Sequence, residues 1–185
     1  MKIFTNILIT FIFLTCTVKA DLDQNFIKDF EQSGKLIFIR HAYAPGSGDP
    51  KNFNLNDCST QRNLNDSGRE QSKNIGNLFS KYNIKIDNVY SSEWCRCKET
   101  ATIAFKKFET KKFLNSFYST QFAKNRKKQI KDFKNFLKKW NEKDDLIFVT
   151  HYVVISEILN YTPSSGEIII ADKNLNIVDT LEINY

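Results

Sequence analysis

Histidine is scarce in this sequence: His41 and His151 are the only two among 185 residues. With four cysteines, three of them beyond residue 20, the donor set is thin for a structural zinc site, and no metal is expected. Long apolar runs are scarce too. The stretch Ile7 to Leu14, broken only by Thr10, falls well short of the roughly 20 residues that span a bilayer, so stable membrane insertion is not expected. Neither sign of charge dominates, the formal net charge being +6. That mild basicity suits anionic ligands and suits solubility equally, and it gives no argument for nucleic acid. There is no internal repeat and no sign of a second domain, and the length fits one core.

What the N-terminus does contain is an export pattern. Lys2 supplies a positive start, Ile7 to Leu14 the apolar centre, and Val18-Lys19-Ala20 resembles a small-residue cleavage site. Residues 1–20 are therefore expected to be a signal peptide cut after Ala20, leaving residues 21–185 as one domain. A lipid anchor at Cys16 is disfavoured because Leu14-Thr15 lacks the small residue expected just before a lipidated cysteine. Cleavage removes Lys2 and Lys19 and no acid, lowering the net charge from +6 to +4. It leaves Cys58, Cys95 and Cys97 in a periplasmic or secreted setting, where disulfides persist. An odd count leaves one thiol over. Neighbours in Cys-x-Cys are poorly placed to bridge each other, so Cys58 is expected to pair with Cys95 or Cys97, with Cys95 preferred. Such a bridge contributes roughly 3 kcal/mol on the chain-entropy view.

Beyond a helical lead-in from Asp21 to Ser33, apolar runs and amphipathic segments alternate. Leu36 to Ile39 reads as a strand buried on both faces, and a long Gly-, Pro-, Asn- and Asp-rich loop follows from Ala44 to about Arg62. Asn65 caps a helix running to Tyr82, with Ile75, Leu78, Phe79 and Tyr82 on one face. Val89-Tyr90 forms a short strand ahead of a helix from about Glu93 to Phe105. The basic segment Lys124 to Lys143 carries Ile130, Phe133, Leu137 and Trp140 on a single stripe, which makes it an amphipathic helix with a solvated lysine face. Leu146 to Val149 repeats the buried-strand pattern, Val153 to Tyr161 is helical, and Ile168 to Ile170 with Ile177 to Ile183 form a closing pair of strands. This order predicts an α/β fold whose mostly parallel sheet is covered on both faces, with the ligand site beyond the carboxyl ends of its strands.

The polar residues at those strand ends are the ones that carry chemistry. Strand one ends in Arg40-His41, the strand ending near Ser92 delivers Arg96, and the strand ending at Thr150 delivers His151. One histidine alone is most often a structural hydrogen-bonder; both histidines at strand ends, accompanied by two arginines, point to a site for a tetrahedral dianion. Guanidinium groups make planar, permanently charged contacts to phosphate oxygens. A neutral imidazole whose second nitrogen is fixed by a backbone carbonyl can attack phosphorus and form a covalent phosphohistidine. We therefore expect His41 as nucleophile, Arg40 and Arg96 as phosphate clamps, protonated His151 as a further oxygen donor, and no cofactor. Arg62, just before the Asn65 cap, is expected either to reach the substrate or to bridge a loop carboxylate.

Several stretches resemble the histidine phosphatase superfamily, also called phosphoglycerate mutase-like. Leu36-Ile37-Phe38-Ile39-Arg40-His41-Ala42 is similar to its opening strand and Arg-His-Gly/Ala signature, and Leu64 to Gln71 resembles the helix start that comes next. Val89-Tyr90-Ser91-Ser92 through Arg96 and Glu99-Thr100-Ala101 is similar to its second-arginine segment, and Phe148-Val149-Thr150-His151 to its second-histidine strand. The resemblance implies a three-layer α/β/α sandwich and metal-independent phosphoryl chemistry. The sequence departs from the family pattern at Glu93, where a proline is usual, and at Tyr152, where a glycine or aspartate is usual. Thr110 to Phe122, where many members carry a carboxylic proton donor, contains no Asp or Glu. Two readings follow: a metal-independent phosphatase that hydrolyses a small phosphomonoester or phosphoramidate through a phosphohistidine on His41, the missing acid suggesting a good leaving group or weak activity, or a non-catalytic phosphate-binding domain of the cell envelope.

Overall fold

The computed structural model describes residues 26–29 and 34–185. The expected signal segment and most of the expected lead-in helix lie outside the described residues; within it, 26–28 are helical and Phe26 is buried in the core. The strands are β1 (Leu36–Arg40), β2 (Asn88–Ser91), β3 (Glu109–Thr110), β4 (Leu146–Thr150), β5 (Ile168–Ala171) and β6 (Ile177–Leu181). The helices are α1 (Asp66–Lys81), α2 (Cys95–Phe105), α3 (Thr120–Ala123), α4 (Arg126–Leu137) and α5 (Tyr152–Leu159). All six strands join one sheet in the order β3-β2-β4-β1-β5-β6. The β1–β4, β2–β4 and β2–β3 pairs are parallel, while β5 runs antiparallel to β1 and β6 antiparallel to β5.

Side-chain alternation along the buried strands divides the core into two layers. Ile37, Ile39, Ile147, Val149, Ile168 and Ile170 face Ile75 and Phe79 of α1 and Cys97, Ala101 and Phe105 of α2. Leu36, Phe38, Leu146, Phe148 and Ile169 face the other way, toward Phe133 of α4 and Ile155 and Leu159 of α5. The α/β fold read from the sequence is this sheet, with helices on both of its faces.

Helix starts set the approach of α1 and α2 to the strand ends. Asn65 caps α1 by accepting from the Gly68 N–H at 2.9 Å. Gly68 lets α1 approach the chain leaving β1 so closely that a Cβ there would lie 2.0 Å from the Tyr43 carbonyl oxygen. Helix α2 begins two residues later than the sequence suggests, because Trp94 is extended and serves as its N-cap. On α4 the lysines at 127, 128, 131 and 134 are exposed while Phe133 is buried, as expected of a solvated basic face over an apolar stripe. Among the described residues no helix is long and apolar enough to cross a membrane.

Candidate active site

Parallel register brings the two histidines side by side. Arg40 of β1 pairs with Thr150 of β4, so the next residues, His41 and His151, leave adjacent strands together, and the His41 N–H donates to the Thr150 carbonyl at 2.9 Å. Their rings meet edge to face with centroids 5.4 Å apart, and both are almost fully buried. Strand β2 lies on the other side of β4 and ends at Ser91, from which a short turn leads into α2 and Arg96. The structure thus gathers Arg40, His41, Arg96 and His151 around one cavity of about 100 Å³, and it adds Arg62 to the same lining.

Hydrogen-bond partners fix both tautomers. His41 Nδ1 faces the Ala42 carbonyl at 2.8 Å, and since a carbonyl only accepts, Nδ1 carries the proton. The lone pair of His41 Nε2 is left toward the cavity, where it accepts from Arg96 Nε at 3.1 Å. His151 Nδ1 faces Arg96 Nη2 at 3.4 Å, and arginine only donates, so the His151 proton sits on Nε2 and is given to Ser92 Oγ at 2.9 Å. Ser92 Oγ in turn donates to Asn115 Oδ1 at 3.1 Å.

Burial, and after it the Arg96 charge, push both imidazoles well below the usual histidine range. In the phosphate-free pocket, burial and the charges of three arginines thus favour the neutral form of His151 over a standing imidazolium. A dianion placed between the rings reverses the sign of that field and favours proton uptake.

The guanidinium of Arg96 is engaged on both edges. Its Nε and Nη2 face the two histidines, while Nη1 and Nη2 grip Asp49 at 2.7 and 3.3 Å, and Nη1 also donates to the Arg62 carbonyl at 3.2 Å. Arg62 Nε donates to the Gly48 carbonyl at 2.9 Å and its Nη1 to the Ala44 carbonyl, so its side chain folds over the loop after β1 and into the cavity wall. Gly48 holds φ +68°, a left-handed conformation in which other residues are strained. Arg40 Nη1 donates to the Pro163 carbonyl at 2.8 Å, its guanidinium lies 5.4 Å from the Tyr152 ring, and its Nε is buried without a partner.

Two loop segments complete the cavity wall, the long loop from Ala44 to Arg62 and the stretch between β3 and α4. Asp49 comes from the first, and Ser116, Tyr118, Ser119 and Phe122 from the second. Ser119 Oγ is buried and unpartnered in the wall, and Tyr118 stands exposed at the rim, its ring 5.9 Å from that of Tyr152. The only signal for Asp49 is that it is the one acid between His41 and Arg62 that precedes the loop's Asp57. Glu93 lines a neighbouring cavity instead and accepts from Asn115 Nδ2 at 2.6 Å. Among the described residues no three His, Cys, Asp or Glu side chains converge as a metal-holding group. Cys58 and Cys95 form a disulfide, and Cys97 is a buried free thiol 3.5 Å from His151 Nε2.

Comparison with known proteins bears on this arrangement. The family model described as histidine phosphatase superfamily (branch 1) matches residues 36–145. That span contains His41 and Arg96 and stops short of His151, which the sheet register brings to the same place. No curated protein matches the chain by sequence. Among solved structures, SixA of Agrobacterium tumefaciens, a proposed phosphohistidine phosphatase, superposes with a TM-score of 0.57 at 14% identity, covering 80% of this chain and 97% of its own. A phosphoglycerate mutase of Thermus thermophilus gives a TM-score of 0.55 at 13% identity, covering 81% and 99%. The Rv3214 protein of Mycobacterium tuberculosis gives 0.56 at 15%, covering 81% and 96%. At such identities the likeness is one of fold.

Proposed function

Since the chain belongs to the histidine phosphatase superfamily, we propose that it is a phosphatase that hydrolyses a phosphomonoester or a phosphoramidate through a phosphohistidine on His41. One observation carries the reading: the His41 Nδ1–H is held by the Ala42 carbonyl, which leaves the Nε2 lone pair facing the cavity between Arg96 and His151. A phosphoryl group entering there takes over the Arg96 Nε–H and Nη2–H, which frees Nε2 to attack. The new N–P bond forms as the P–O or P–N bond to the leaving group breaks, and the leaving group departs with that electron pair and draws its proton from solvent. Water then attacks phosphorus, the N–P electron pair returns to Nε2, and the water proton passes to bulk. Arg40, Arg62 and Arg96 supply the charge stabilisation that a loose phosphoryl transition state requires, and His151, protonated on phosphate binding, adds a donor.

Among the described residues, the cavity offers no free carboxylic acid for the leaving group. Asp49 lines it, but its oxygens are taken by Arg96, the Trp94 indole N–H at 3.0 Å and the Arg62 N–H at 3.1 Å. This favours substrates with good leaving groups, and it is also the observation behind a second reading, a phosphate-binding domain without turnover. The disulfide supports a periplasmic or secreted setting.

The deciding measurement is turnover of an activated aryl phosphate in EDTA by the protein starting at Asp21, with His41→Ala alongside. We expect activity that falls by at least about 10³-fold in the variant, as when a covalent nucleophile is removed, and acid-labile phosphate trapped on the wild-type protein alone. Phosphate binding without trapping on any phosphoester or phosphoramidate would leave the binding-domain reading standing.

A further inference from the structure

Arginine side chains are long, and a guanidinium that is to meet both a nucleophile and a phosphate needs something to hold its far edge. In this protein that edge is held from a loop. Asp49 takes Nη1 and Nη2 of Arg96 in a fork, and its own position is set by the Trp94 indole N–H and by the Arg62 backbone N–H. The pair is largely shielded from solvent, with 4% of the Arg96 side chain and 15% of the Asp49 side chain exposed. Desolvating a charged pair is justified energetically only when its geometry is good and its remaining lone pairs are satisfied, and both conditions hold here. The Arg62 carbonyl closes the last N–H of Nη1 at 3.2 Å. Every N–H of Arg96 is thus accounted for, and the only two an incoming ligand can claim are those now resting on His41 and His151.

We propose that Asp49 is a positioning residue: it locks the outer edge of Arg96 so that the inner edge stays aimed at the point between His41 and His151 where phosphate is to sit. The proposal rests on the phosphatase reading for its consequence in rate, though the geometry it names is independent of turnover. It also explains the cost of placing a carboxylate beside an anion site. Asp49 weakens the attraction for phosphate and in exchange removes the freedom of Arg96 to swing, and a misplacement of about 1 Å at such a group can cost on the order of 10²-fold in rate.

Asp49→Asn tests this, because it keeps the shape, removes the charge and turns one acceptor of the fork into a donor facing another donor. For the aryl phosphate we expect kcat to fall by about 10–100-fold while KM stays within about threefold or decreases, since the pocket becomes more positive. A residue that merely supported the loop would raise KM and lower the thermal midpoint together. In ¹H–¹⁵N spectra the Arg96 Nε–H resonance, identified by its absence in Arg96→Lys, is expected to move or broaden in Asp49→Asn. If the asparagine variant does not fold, Asp49→Glu is read in the same way, because its longer arm displaces the carboxylate. A kcat within about threefold of wild type, or an unmoved Arg96 resonance, overturns the proposal. Should the wild-type protein turn over nothing, the phosphatase reading falls while the resonance still decides the role of Asp49.

Discussion

His41 and His151 are the only histidines in the chain and both are held neutral in the folded state by burial and by Arg96. An unfolded chain protonates them near pH 6.5. Below that pH the unfolded state binds protons that the folded, phosphate-free state refuses, so stability falls as pH falls, by up to about 1.4 kcal/mol per pH unit for each histidine until its folded pKa is reached. Asp49, held low despite its burial by its hydrogen bonds and charge pairing with Arg96, adds a loss in the same direction only below the ordinary carboxylate range, and Asp145, raised by burial, acts in the opposite sense. The contribution of the histidines is therefore isolated by difference. Urea denaturation at pH 7 and pH 5.5 should show a drop in the wild type that is smaller in His151→Gln, and inorganic phosphate should shrink the wild-type drop by favouring the protonated imidazole. An equal drop in wild type and variant would mean that His151 does not resist protonation.

Phe148 of β4 shows how an element can carry stability without touching the chemistry. Its ring is fully buried against Phe38 at 5.2 Å and Phe133 at 5.5 Å, on the sheet face turned from α2. Phe148→Ala should cost about 3–5 kcal/mol in chemical denaturation while leaving kcat per folded molecule near wild type; a loss of kcat without a loss of stability would contradict the separation of layers. The same run, Leu146 to Val149, was legible from sequence because a strand buried on both faces must be apolar throughout, and so were β1 and the capped start of α1. Strand β3 was not legible: Glu109 and Thr110 are exposed and join the sheet only by backbone pairing with Tyr90 and Ser91. Nor was the antiparallel sense of β5, since Ile168 to Ile170 reads alike in either direction. The site divides in the same way. Strand ends fix His41 and His151, and the helix following Ser92 fixes Arg96, whereas Asp49, Tyr118 and Ser119 lie on loops without periodicity and are placed only by the tertiary contacts they make.

At the scale of the whole molecule, the segment that contributes Asp49 and Arg62 is joined to the helix that contributes Arg96 by two ties besides the contacts of Arg96 itself. One is the Cys58–Cys95 disulfide, across a sequence separation of 37 that encloses all of α1 and β2. The other is Gln61, whose side-chain oxygen accepts the Cys95 N–H at 2.9 Å while its Nε2 donates to the carbonyls of Asn54 and Leu55 at 3.1 and 3.0 Å. Because Gln61 and the Asp49–Arg96 pair hold the native geometry without the sulfur bridge, the disulfide acts chiefly on the unfolded chain. A loop of that length corresponds to roughly 3–4 kcal/mol of lost unfolded-state freedom, or about 6–16 °C in Tm for a domain of this size. The Cys58→Ser/Cys95→Ser protein should accordingly melt lower by that margin under non-reducing conditions. At temperatures where it remains folded, its kcat on the aryl phosphate should stay within about threefold of wild type, since Arg96 keeps its partners. If activity collapsed in a variant still folded by circular dichroism, the bridge itself would be positioning Arg96, and Gln61 would be too weak a tie to hold the loop against α2.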